Sequence, residues 1–214
     1  MNKILVVVAH PDDEILGLGA TLRKHVLSGD EVYCLILGEG ALCREIGDGN
    51  LIRQSRNSGG IIGFKHMYFE SLPDNKFDTV PLLDICKAVE KYIEKINPDI
   101  IYTHHGKDLN IDHRMTHEAV KTACRPPVTR EIYAFETPSS TEWTFDGSFG
   151  PNVFVEVDEI ELSRKFAALK CYTTEIREYP HPRSLRALKS RAEYWGQIAG
   201  VEYAEPFELI RKII

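Results

Sequence analysis

A chain of 214 residues with 43% hydrophobic and 27% charged content has the makeup of one globular domain. Its formal charge of -6 leaves no basic excess to neutralise phosphates, which argues against nucleic-acid binding, and no stretch approaches the roughly eighteen apolar residues of a membrane span. Five cysteines, odd in number and without a Cys-x-x-Cys pair, fit reduced thiols and a cytoplasmic location better than a disulfide framework or a zinc knuckle.

Ile4 to Ala9 is a continuous apolar run, read as a strand buried on both faces and too short for a signal-peptide core. After the turn His10-Pro11-Asp12-Asp13-Glu14, apolar residues recur at helical spacing from Ile15 to Leu27, and Gly29 suits the helix C-terminus. Glu31 to Gly38 reads as a second strand, so the first two strands should be parallel and joined by a right-handed crossover. A glycine-containing loop is expected from there to Asn50, then a helix over 51–62 and a short strand at His66 to Phe69. Pro81 opens an amphipathic helix that Asn97-Pro98 ends, and Asp99 to Thr103 is the next strand. A helix is expected from near Asp112 to about Cys124, strands at 132–135 and 153–157, and helices at about 159–171 and 184–199. Strands alternating with helices give an α/β fold with a mostly parallel sheet, taken as a single domain over residues 1–214.

One histidine and three carboxylates thus crowd the turn between a strand's C-terminal end and a helix N-terminus, where open α/β sheets bind ligands. Capping would explain one aspartate; a histidine and further acids beside it point to a metal or catalytic site. His10 and Asp13 can place donor atoms on one ion, which leaves Asp12 free as a general base. A third ligand would come from the polar end of the 99–103 strand, where His104, His105, Asp108, Asp112 and His113 all compete. His113 and His117 are four apart, but Arg114 stands where a zincin needs its acid, and His117 reads as a packed helix residue.

The turn Ala9-His10-Pro11-Asp12-Asp13-Glu14 after a buried N-terminal strand, together with Asp112-His113 a hundred residues later, resembles the signature of the PIG-L (LmbE-like) zinc-dependent deacetylases over roughly residues 3 to 125. The resemblance implies a Rossmann-like fold with a C-terminal strand/helix extension. It also implies Zn2+ or another divalent metal on His10, Asp13 and His113, with Asp12 as general base. The implied reaction is removal of an N-acetyl group from an amino sugar by a metal-bound water. That sugar could arrive free, nucleotide-linked or lipid-linked; oligomeric state is left open, a homo-oligomer included. In one respect the chain departs from the family: its second motif commonly begins with a histidine, where Asn110 stands here. Asn110 can donate a hydrogen bond but cannot transfer a proton, so His181, between two prolines, is expected to supply the missing acid. Arg53, Asp74, Asn75, Trp143 and Arg183 are the candidate substrate-binding residues. The alternatives are a zinc amidohydrolase acting on another small acyl amide, and a non-catalytic nucleotide-binding module. The second fits poorly, because Gly17 and Gly19 fall inside the helix and the turn's carboxylates would repel a pyrophosphate.

Overall fold

The computed structural model describes residues 1–38, 51–126, 129–145 and 149–214; the loop expected before Asn50 falls, beyond Gly38, outside them. Strand β1 (Lys3–Val8) is buried along nearly its whole length because it is sandwiched on both faces. Ile4, Val6 and Val8 meet one helical layer, and Leu5 and Val7 meet the other. That is why its sequence shows no alternation of apolar and polar residues. The other strands are β2 (Glu31–Gly38), β3 (His66–Leu72), β4 (Ile100–His104), β5 (Glu131–Phe135), β6 (Val153–Val157) and β7 (Tyr203–Lys212), and the sheet runs β3-β2-β1-β4-β5-β7-β6. β1 to β5 pair in parallel, and β7 runs antiparallel to both β5 and β6.

Chain order reverses between β1 and β4, and the ends of these two strands form the crevice that such a reversal opens. Helices α1 (Asp13–Leu27), α2 (Leu51–Ile62) and α5 (Glu159–Leu169) cover one face. Helices α3 (Leu82–Ile96) and α4 (Ile111–Ala123) cover the other. α6 (Leu185–Ala199) lies against β7. The α/β architecture with a mostly parallel sheet agrees with the sequence reading.

Two local features depart from that reading. The strand over 203–212 is not evident in the sequence, because Glu205, Pro206 and Glu208 interrupt its apolar pattern; it nevertheless sits between two other strands. And α1 is not continuous: Leu18 has φ -144°, which breaks the helix there. In the turn after the break, Glu205 accepts the amides of Ala20 (3.3 Å) and Thr21 (2.7 Å). Lys165 of α5 pairs with the same carboxylate at 2.6 Å, so a buried charge from the last strand holds the second half of α1. Gly17 belongs to this region too. A Cβ there would stand 2.3 Å from the Phe135 ring, so only glycine lets α1 approach β5 so closely.

Truncating one partner of a buried ion pair strands the other charge. Glu205→Ala is therefore expected to destabilise the chain by about 3 kcal/mol, read from urea unfolding with the slope unchanged. A loss below about 1 kcal/mol, the level of an exposed pair, would show that the pair does not hold α1.

Candidate active site

The turn after β1 and the segment after β4 meet around one carboxylate oxygen. Asp13 Oδ2 accepts the backbone N–H of His10 at 2.8 Å and lies 3.4 Å from each of His10 Nδ1, His104 Nε2 and His113 Nε2. Burial pushes the Asp13 carboxyl up, but His113 and the other imidazoles outweigh it and hold the group well below the usual carboxylate range.

Hydrogen bonding sorts the histidines. His104 accepts the Ala9 N–H on Nε2 (3.0 Å), so its Nδ1 carries the proton and donates it to Thr137 Oγ1 (3.0 Å). With both nitrogens engaged, and with burial and the adjacent His113 charge pulling its pKa down to about 4, His104 is a neutral structural group. It stacks on the His113 ring at 3.9 Å. His105 is drawn away to Glu208 of β7 (2.6 Å). His117 donates Nδ1–H to the His104 carbonyl (2.8 Å), in keeping with its reading as a packed helix residue.

His10 and His113 are arranged differently. His10 turns Nε2 toward Asp112 (2.9 Å) and Asp74 (3.0 Å), leaving Nδ1 on the Asp13 side. Asp112 is itself fixed by the backbone N–H groups of Asn75 (2.6 Å) and Phe77 (2.9 Å). His113 Nδ1 lies 3.0 Å from Asp108 Oδ1, at ion-pair distance though off the hydrogen-bond line, and its Nε2 points to Asp13. Ser140 and Thr141 donate their hydroxyls to Asp108. Donor atoms of His10, Asp13 and His113 all lie within 4.8 Å of one another, and each imidazole has a carboxylate behind it; this donor set fits a divalent metal. A second group, His10, Asp74 and Asp112, shares His10.

Asp12 is nearly fully buried yet lines the adjoining cavity, which measures about 120 Å³. Its neighbours on the wall include Asp74, Asn75, Asn110, Ser139, Ser140, Glu175 and Arg183. Arg183 donates through Nη1 to both Asp12 Oδ2 and Glu175 Oε2, each at 2.9 Å, and through Nε to Ser139 Oγ (2.7 Å). Burial raises the Asp12 carboxyl more than Arg183 lowers it, and the group sits at about 7. The loop that presents Ser139 and Ser140 is tied down from α6. Arg191 grips Glu136 through two nitrogens (2.7 and 3.0 Å) and reaches Glu142, which accepts the Ser139 and Ser140 amides.

The other expected site residues are spread more widely. Asn110 lines the cavity, but its side-chain oxygen caps α4 by accepting the Asp112 N–H (2.8 Å), which leaves its amide group facing Asn75. His181 is not among the lining side chains. Its ring packs edge-on to Trp143 at 6.0 Å, and its Nδ1 accepts the Arg183 N–H. Arg53 is exposed on α2 and, like Trp143, lies outside the lining. Sequence reasoning missed Glu175 and Tyr172, which sit in an irregular segment with no motif to flag them.

Comparison with known proteins matches residues 5–124, more than half of the chain, to the PIG-L family, described as GlcNAc-PI de-N-acetylase. The chain belongs to the PIG-L family. Among curated proteins it is 33% identical over 174 residues to the uncharacterized deacetylase YaiS of Escherichia coli K12, covering 78% of this chain and 88% of that one. It is 25% identical to the diacetylchitobiose deacetylase of Thermococcus kodakarensis, covering 98% and 84%. Among solved structures, the conserved protein TT1542 of Thermus thermophilus shares the fold with a TM-score of 0.83 at 21% identity, covering 100% of this chain and 97% of that one.

In the PIG-L site without metal, the carboxylates around His113 overcome the opposing effect of burial and raise its pKa to about 9; His10 is raised as well. A raised histidine stabilises the metal-free chain below its ordinary pKa near 6.5, and that contribution is lost as pH climbs through about 9. A metal held by these two histidines would have to displace those protons, so calorimetric titration with Zn2+ at pH 7 in buffers of different ionisation heat should show about two protons released per ion. Binding without proton release would mean that the two histidines are not the ligands.

Proposed function

We propose that the chain is a zinc-dependent N-deacetylase that hydrolyses the acetamido group of an amino sugar. The observation that carries this reading is the convergence of His10, Asp13 and His113 beside a cavity that the buried Asp12 carboxyl also lines. PIG-L membership and the similarity to a diacetylchitobiose deacetylase support the same chemistry and a carbohydrate substrate.

His10, Asp13 and His113 would hold the metal. When bound there, zinc supplies Lewis-acid polarisation of an amide carbonyl and acidifies a coordinated water. Asp12 is the general base. Arg183 occupies its Oδ2, which leaves Oδ1 to accept the proton of the attacking water. As the new C–O bond forms and the C–N bond breaks, Asp12 returns that proton to the departing nitrogen, and the products are acetate and the free amine. Asn110 stands on the wall as a neutral donor toward the carbonyl oxygen. Asp74 and Asn75 offer acceptors to sugar hydroxyls, and Trp143 and Arg53 are left to contacts beyond the cavity.

The test is amine release from N-acetylglucosamine, N,N'-diacetylchitobiose and a nucleotide-linked N-acetylamino sugar, with zinc-loaded and chelated protein. Turnover that chelation abolishes is expected. Asp12→Asn should cut kcat at least about a hundredfold while keeping bound zinc. No release from any of these by the loaded enzyme would overturn the sugar deacetylase reading.

This reading gives the acid role to Asp12, because the His181 imidazole lies outside the cavity lining. His181→Ala is expected to hold kcat within about threefold of wild type, whereas a loss of about a hundredfold, usual for an acid–base group, would return the role to His181.

A further inference from the structure

Asp12 occupies a helix N-cap position without acting as a cap. Its carbonyl accepts the N–H groups of Ile15 (3.0 Å) and Leu16 (2.9 Å), so α1 is built on it. Its side chain makes no capping bond. Three other caps in the chain behave in the ordinary way: Asn110, Asp158 and Ser184 are extended, with φ of -71°, -107° and -74°, and each side chain accepts a helix amide. Asp12 has φ 101°, in the positive-φ region that few non-glycine residues adopt, aspartate being one of those that do so more readily.

The group that meets its backbone N–H is two residues on. Glu14 Oε2 accepts the backbone N–H of Asp12 at 3.1 Å. Its other oxygen, Oε1, accepts the hydroxyl of Tyr172 at 2.5 Å. Both side chains have no measurable exposure, and the Tyr172 ring is wedged in the core with residues of α1 and β5. From the second helical position Glu14 does what the third-position acid of a capping box does, binding the cap residue's own amide. The other half of the box is missing, and that leaves the Asp12 carboxylate available to the cavity.

We propose that Glu14, anchored by Tyr172, is a positioning residue: it holds the Asp12 peptide in the left-handed conformation that turns the carboxylate off the helix and toward the substrate. This inference rests on reading Asp12 as the general base. It gives a working role to Tyr172, which lies beyond the 5–124 region matched by the family model, in the turn after α5.

Tyr172→Phe removes one oxygen from a site that already suits a ring, and it spares the fold. Glu14→Ala removes the strut, while Glu14→Gln keeps one acceptor for the Asp12 amide and one donor for Tyr172. Crystal structures and amide exchange on the zinc-loaded proteins provide the first readout. In Tyr172→Phe and Glu14→Ala, Asp12 should leave positive φ and its amide should exchange at least about tenfold faster. With N,N'-diacetylchitobiose or N-acetylglucosamine, kcat should fall about tenfold or more, since small misplacements of a reacting group are this costly. KM and zinc content should stay unchanged, and Glu14→Gln should recover most of the loss. In an Asp12→Asn background Tyr172→Phe should cost nothing further, whereas a general structural defect would lower the residual rate as well. An unmoved Asp12 in both Tyr172→Phe and Glu14→Ala would overturn the inference, whatever the rates. If instead Asp12 moves and Asp12→Asn keeps its rate, the general-base reading fails and the strut stands as a purely conformational device.

Discussion

The site depends on the electrostatic demand of a single buried oxygen. Asp13 Oδ2 sits among three imidazoles and a backbone amide, at the point where the turn after β1 meets the segment after β4. A carboxylate removed from water this completely must be answered by cations or hydrogen-bond donors. Much of the surrounding architecture arranges the answer. Asp112 orients His10 and is itself held by two backbone amides; Asp108 backs His113 and is held by two hydroxyls; His104 is immobilised as a neutral stacking partner. A metal ion on His10, Asp13 and His113 would meet the same demand with a denser charge.

Labour is divided along the chain. The parallel half supplies the proposed ligands, and it coincides with the part matched by the PIG-L family. The later third supplies control of Asp12. Tyr172 reaches it through Glu14, while Glu175 and Arg183 meet its carboxylate. Arg183 enters immediately before Ser184, the residue that caps α6, so the start of that helix fixes where the guanidinium can stand. Arg191, further along α6, ties down the loop carrying Ser139 and Ser140.

The sequence revealed the elements whose periodicity comes from burial and the residues whose chemistry clusters locally. β1 announced itself because both of its faces are covered, and the His10–Glu14 turn because it crowds acids into five positions. Spacing alone left five candidates after β4 open; the family resemblance singled out His113, and only distances show how it differs from His104. His104 and His113 differ in whether a backbone amide occupies a nitrogen, and spacing carries no record of that. β7 escaped detection because Glu205, buried against Lys165, and Glu208, half-buried against His105, put charge into a strand that is half core. Tyr172 and Glu175 escaped because a tyrosine or a glutamate in irregular chain looks the same whether it faces water or the base.

The placement of β7 bears on how the molecule assembles. The strand made last lies between β5 and β6, with pairing partners some fifty to eighty residues earlier in the chain. During synthesis β5 therefore presents an open edge until residues 203–212 emerge, and such edges invite pairing with other chains. Glu205 arrives with them, so the second half of α1 has no cap and Lys165 no partner until that moment. The parallel half has all its strands long before this, and contacts of such wide sequence separation form slowly. The order of events is built into the topology: the half carrying the proposed ligands can organise first, and the sheet closes last.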